Sequence, residues 1–115
     1  MGRLTTHVLD TAAGQPGAGM RITLYRVLAG EHHRVKEVVA DADGRGALLE
    51  GAAFTRGGYR LVFAVAEYFR AKGVTLSDPP FVDEVVLDFG VADPDAHYHV
   101  PLLVSPWSYA TYRGS

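Results

Sequence analysis

His7 and His99 are the residues whose type and setting point most directly to chemistry, because each interrupts a strand-like stretch on the side away from the expected core. Around the first, Leu4, Thr6 and Val8 alternate with Thr5, His7 and Leu9. Around the second, Tyr98, Val100, Leu102 and Val104 alternate with His97, His99 and Leu103. Successive side chains of a strand point to opposite faces, so both imidazoles are expected to face outward. An imidazole has an unperturbed pKa of ~6.5 and can take or give a proton near neutrality. The outer face is not simply polar, since Leu9 and Leu103 share it and Val62 lies on the outer side of its own strand. An apolar outer face carrying imidazoles is expected to be covered by another subunit.

Arg45 follows the run Asp41-Ala42-Asp43-Gly44, which reads as a tight turn with Gly44 available for a positive φ. Most loop arginines are simply solvated. A guanidinium held in place, however, is a rigid fork of donors for an anionic, carbonyl-rich ligand. The same run resembles the start of a calcium loop, but the later acidic ligands are missing. His97 and His99 are spaced to chelate a metal. No third ligand is placed by the sequence, and Asp93 and Asp95 belong to a turn, so no metal is expected. His32 and His33 sit beside a turn among charged neighbours. Tyr112, Arg113 and Ser115 lie at the terminus, where frayed chain is usual, yet an aromatic strand with Trp107 and Tyr109 leads into it.

The elements that must position these residues are mostly strands of period two. After the first, a turn is expected over Thr11 to Gly19. Ile22, Leu24 and Leu28 then share one face of a second strand, and a third runs from Arg34 to Ala40 after a turn near Gly30. An irregular stretch follows Gly44. Tyr59, Leu61, Phe63 and Val65 form the apolar side of the next strand. Ala66 to Lys72 is the one helical segment, with Gly73 placed as its C-cap. Pro79-Pro80 precedes a strand with Val85, Leu87, Phe89 and Val91 on one side, and Trp107 to Tyr112 forms the last strand. Seven to eight short strands with one short helix give an all-β sandwich.

With 115 residues the chain suits one domain, spanning 1–115, with a real core. A net charge of −2 gives no reason to expect nucleic acid or an acidic membrane as partner. The absence of cysteine excludes disulfides and thiolate chemistry. No apolar run is long enough to span a bilayer, and no secretory signal opens the sequence, so a cytoplasmic protein is expected. Met1-Gly2 with Thr6 fits a loose myristoylation pattern, which is set aside because these residues enter the first strand.

Several separated motifs resemble the transthyretin-like family of 5-hydroxyisourate hydrolases: Leu4 to Asp10 (LTTHVLD) followed by Gly14 and Pro16, Asp43-Gly44-Arg45, Tyr59-Arg60-Leu61 with Tyr68-Phe69, and the stretch HYHVPLLVSPWSYATYRGS from His97 to Ser115. The resemblance covers nearly the whole chain. It implies a transthyretin-like (prealbumin-like) β-sandwich, a homotetramer with sites in the channel between dimers, and hydrolytic opening of 5-hydroxyisourate without a cofactor. It carries His7, Arg45, His99 and Ser115 over as catalytic residues, and His7, Arg45, Tyr112 and Arg113 as substrate-binding ones. The sequence departs from the commonest pattern at Gly46, Trp107, Ser108 and Ala110. The chief rival implied by the same fold is a transthyretin-like small-ligand carrier without catalysis, and the polar set of His7, Arg45, His99 and YRGS argues against it.

Overall fold

The computed structural model describes residues 1–114. Its first strand, β1 (Arg3–Asp10), buries alternate residues, with Leu4, Thr6, Val8 and Asp10 inward and Thr5, His7 and Leu9 only half-buried. The two-residue β2 (Gln15–Pro16) folds back on its end, so the expected turn contains a short strand. Then come β3 (Arg21–Leu28), β4 (Glu31–Val39) and β5 (Arg45–Glu50). A 3-10 turn (Gly51–Ala53), β6 (Gly57–Phe63), α1 (Val65–Ala71), β7 (Val85–Val91), β8 (His97–Val104) and β9 (Tyr109–Thr111) complete the chain.

These strands form two sheets. One runs β2-β1-β8-β9, with β5 also paired to β1, and the other runs β4-β3-β6-β7. All ladders are antiparallel except β1–β8, which is parallel and joins strands from the two ends of the chain. Leu4, Val8 and Leu102 from the first sheet meet Ile22, Leu24, Leu61 and Phe63 from the second, all with no exposed surface. Each such side chain contributes about 1.5–3 kcal/mol when removed from water. The helix closes the sandwich with Val65, Ala66, Tyr68 and Phe69 buried. The hydroxyl of Tyr68 donates to Asp10 Oδ2 at 2.9 Å, while Asp10 Oδ1 accepts the amides of Ala12 and Ala13. The Asp10 carboxylate thereby ties the helix to the end of β1. Burial and this partner push the Tyr68 hydroxyl up to about 12.

The architecture is the expected transthyretin-like β-sandwich with one short helix, and five further details differ. The stretch after Gly44 is the strand β5, whose alternation is hidden because its pairing with β1 shifts by a residue between Leu4 and Thr5. β4 begins at Glu31, because the two-residue Ala29-Gly30 connection lets pairing start at Leu28–Glu31, and this places His32 and His33 in an edge strand. Leu28 lies at the projecting hairpin end and is 49% exposed, so it is not on the core face. Val65 is buried but opens the helix rather than extending β6. Trp107 precedes the last strand and is exposed.

Candidate active site

The turn before β5 sets one wall of the site. Asp41 Oδ1 accepts the backbone amides of Asp43 and Arg45, both at 2.9 Å, and the Gly44 amide donates to the Asp41 carbonyl. Gly44 has a φ of 78°, and a Cβ there would lie 2.4 Å from the Val8 carbonyl oxygen, so only glycine fits. The Val8 amide donates to the Gly44 carbonyl at 2.7 Å, which staples this turn to β1 next to His7. In the β1–β5 ladder His7 and Arg45 are direct partners.

β8 sets the other wall. The parallel register pairs Thr5 with His99 and Arg3 with His97. The Thr5 hydroxyl lies 2.8 Å from His99 Nδ1 and 2.8 Å from His97 Nε2. The rings of His97 and His99 are 5.9 Å apart, and those of His7 and His99 are 6.4 Å apart. Arg3, Thr5, Arg45, Gly46, His97 and His99 line a cavity of about 370 Å³ on this outer face.

The protonation chemistry follows from these contacts. His7 Nε2 lies 2.9 Å from the carbonyl oxygen of Asp43. A carbonyl only accepts, so this nitrogen carries a hydrogen and donates it to Asp43. Burial first, then the positive fields of His97, Arg45 and His7, hold His99 below the usual histidine range. Burial and then Arg3 lower His97 in the same direction. The site therefore presents a neutral His99 beside a guanidinium. Among the described residues no group of three His, Cys, Asp or Glu side chains converges as a metal cluster would.

The structure brings His7, Arg45 and His99 together, and it ties the terminus to them. The Gly114 amide donates to the His99 carbonyl at 2.7 Å, and a Cβ on Gly114 would sit 2.7 Å from His99 Cδ2. Tyr112 and Arg113 lie elsewhere in the protomer. They line a separate cavity of about 460 Å³ with Leu87, Phe89 and Tyr98, and the Arg113 guanidinium stacks 3.9 Å from the Tyr98 ring centre. Ser115 lies outside the described residues. Sequence reasoning gave no role to Thr5, Arg3 or Asp41, and weighed His97 only as a candidate metal ligand, which it set aside. Their signal is the strand register, which a single sequence does not display.

Residues 4–114 match the family model described as the HIUase/Transthyretin family. A protein of Ralstonia nicotianae named 5-hydroxyisourate hydrolase is 61% identical over 117 residues, covering 100% of both chains. The solved structure of an (S)-allantoin synthase superposes with a TM-score of 0.94 at 51% identity, covering 99% of this chain, which spans 44% of that longer one. The Klebsiella pneumoniae 5-hydroxyisourate hydrolase structure superposes with a TM-score of 0.84 at 30% identity over 100% of both chains. With the family match running through β1, the arginine turn and β8, the chain belongs to the HIUase/Transthyretin family.

Proposed function

We propose that this chain hydrolyses 5-hydroxyisourate to 2-oxo-4-hydroxy-4-carboxy-5-ureidoimidazoline in urate breakdown, as a single hydrolase domain over residues 1–115. The observation that carries the reading is the convergence of His7, Arg45 and His99, from three adjacent strands, on one outer face. The relatives named as 5-hydroxyisourate hydrolases support it over full-length matches.

Opening the six-membered ring requires water to attack a ring carbonyl and a ring nitrogen to leave. His99 is the base for water, because burial and the cationic neighbours keep it unprotonated. Arg45 binds the substrate oxygens and offsets negative charge as the carbonyl becomes tetrahedral. His7, held by the Asp43 carbonyl, orients the substrate, and the proton that His99 takes from water passes on to the departing nitrogen. Tyr112 and Arg113 are assigned to substrate binding on the resemblance alone, and Arg113, stacked on Tyr98, also anchors the segment that Gly114 ties to His99. Ser115 follows that segment and is assigned to the catalytic set on the resemblance alone. The chemistry calls on no cofactor.

Leu9 and Leu103 are half-buried beside the imidazoles and want a cover. The reading therefore includes a homotetramer whose sites lie where two dimers face each other. No helix among the described residues is long and apolar enough to cross a membrane, and a cytoplasmic location completes the proposal. A carrier draws less support, because this cavity is lined by Arg3, Arg45, His97 and His99. The test is the decay of 5-hydroxyisourate generated in place by urate oxidase. Strong acceleration that disappears in His7→Asn and His99→Asn is the expected result. Decay at the spontaneous rate with a folded protein would reject the hydrolase reading.

A further inference from the structure

Thr5 is placed where an ordinary surface threonine has no reason to matter, yet its hydroxyl is the meeting point of two imidazoles, at 2.8 Å from each. A hydroxyl has one proton to donate and lone pairs to accept. When it donates its proton to one ring nitrogen and accepts the N–H of the other, the two tautomers are coupled. Such a relay has two polarities. In one, His99 bears its proton on Nδ1 and keeps a lone pair on Nε2. In the other, Nε2 is protonated and His99 is a donor.

Three features of the surroundings favour the first. His99 and Arg45 line the same cavity, and a guanidinium field prefers a lone pair to an N–H on that side. Arg3 is the register partner of His97; burial first, and then the charge of Arg3, favour the neutral ring, with a lone pair available at Nε2 for the Thr5 proton. His99 Nε2 has no hydrogen-bond partner among the described residues, so nothing there competes for its lone pair. Among the described residues the titratable or charged groups facing His99 are His97 on its own strand, His7 on β1 and Arg45 on β5, and none of them is an acid.

We propose that Thr5 and His97 are positioning residues for the hydrolysis: the Thr5 hydroxyl accepts the Nδ1–H of His99 and donates to His97 Nε2, which fixes His99 with Nε2 as the open base. This rests on the hydrolase reading above and extends it to two residues that do not touch the reacting atoms. When Nε2 takes a proton from water, the imidazolium keeps its Nδ1–H on the threonine oxygen. That oxygen is oriented to receive it because its own proton is committed to His97. Where many enzymes hold a histidine with a carboxylate, this site uses a neutral hydroxyl. A carboxylate would raise the basicity of His99 and invite protonation beside Arg45. The hydroxyl fixes the tautomer without adding charge.

The test uses the full chain with ¹⁵N-labelled histidine and a parallel kinetic series. The spectrum at neutral pH is expected to show His99 protonated at Nδ1 and bare at Nε2, and Thr5→Val is expected to give a mixture of tautomers. In turnover of 5-hydroxyisourate, Thr5→Val and His97→Ala should lower kcat about 10- to 100-fold, with little change in KM. Thr5→Ser should recover most of that loss. The acid limb of the kcat profile should move in Thr5→Val and return in Thr5→Ser. A His99 protonated at Nε2 in the wild type, or a Thr5→Val protein with the parental tautomer, kcat and pH profile, would overturn the proposal. If the wild type does not act on 5-hydroxyisourate, the hydrolase reading fails by itself, and the nitrogen spectra alone still decide the role of Thr5. Should Thr5→Val not fold, Thr5→Ser and His97→Ala carry the same comparison.

Discussion

His7 and Arg45 stand directly opposite each other across the β1–β5 ladder, so the backbone hydrogen bonds of the ladder hold the bases of the two side chains side by side. Neither depends on a flexible loop for its position. The turn that precedes Arg45 is itself locked by Asp41 and stapled to β1 through Gly44 and Val8.

Replacing Arg45 by lysine keeps the charge but removes the planar fork, which matches two substrate oxygens at once. Activity toward 5-hydroxyisourate is expected to fall about 10- to 100-fold, chiefly through kcat/KM. The side chain is exposed, so the denaturation midpoint should not move. An enzyme with parental kinetics would show that Arg45 acts only as a distributed charge.

Gly114→Ala places a methyl group against the imidazole of His99, 2.7 Å from Cδ2 if nothing moves. The terminus or the ring must shift. Displacement of a reacting group by a fraction of an ångström commonly lowers turnover about 10- to 100-fold. Far-ultraviolet circular dichroism and the assembly state should match the parent, while steady-state rates fall. Unaltered rates would detach the terminal segment from catalysis.

The depressed His99 predicts an acid limb of kcat/KM with its midpoint below the ordinary histidine value of ~6.5. The same shifts act on stability. Above ~6.5 His97 and His99 are neutral in folded and unfolded chains alike, and they add no pH dependence. As the pH falls through ~6.5 the unfolded chain takes up protons first, so stability is lost until the lower folded-state values are passed. Denaturant midpoints measured between about pH 5 and 7.5 should therefore drop on the acid side in the wild type, and less steeply in His97→Asn. An acid limb centred above the ordinary histidine value would contradict this account.

Tyr68→Phe removes the donor to Asp10 Oδ2 deep in the sandwich. Hydrogen bonds to a charged group are worth about 1.5–3 kcal/mol, and a loss in that range is expected in chemical denaturation at fixed protein concentration. Asp10→Ala should cost more, because it strands the amides of Ala12 and Ala13 together with the tyrosine hydroxyl. Activity per folded molecule should survive Tyr68→Phe, since Tyr68 meets β1 on its buried face at Asp10, whereas His7 lies on the opposite face of that strand. A neutral effect on stability would mean that water replaces the hydroxyl.

The alternation of β1 and β8 made the outward placement of His7 and His99 legible from sequence, and the Asp41–Gly44 turn was equally plain. β5 was not, because the residue shift against β1 breaks the period that identifies a strand. β4 was read short, since its first residues, Glu31 to Arg34, are polar and sit on an exposed edge where no buried face imposes a pattern. Thr5 illustrates the deeper limit. A threonine on an outward face carries no local mark of importance. Its role arises from pairing with a strand 94 residues away. The same limit hid the location of Arg113, whose partner is the ring of Tyr98 rather than the imidazole cavity.

The parallel pairing of β1 with β8 also governs when the site can exist. Among the described strands β1 is synthesised before the others, whereas its long neighbour β8 follows much later. Until residues 97–104 have been made, the Thr5, His7 and Val8 edge lacks that partner, and His99 is absent altogether. Contacts closed over such separations form slowly and late. A prematurely terminated chain thus holds half of a cavity and none of its base. Joining two strands far apart in the polypeptide at the reacting centre makes turnover a sign that synthesis has passed β8.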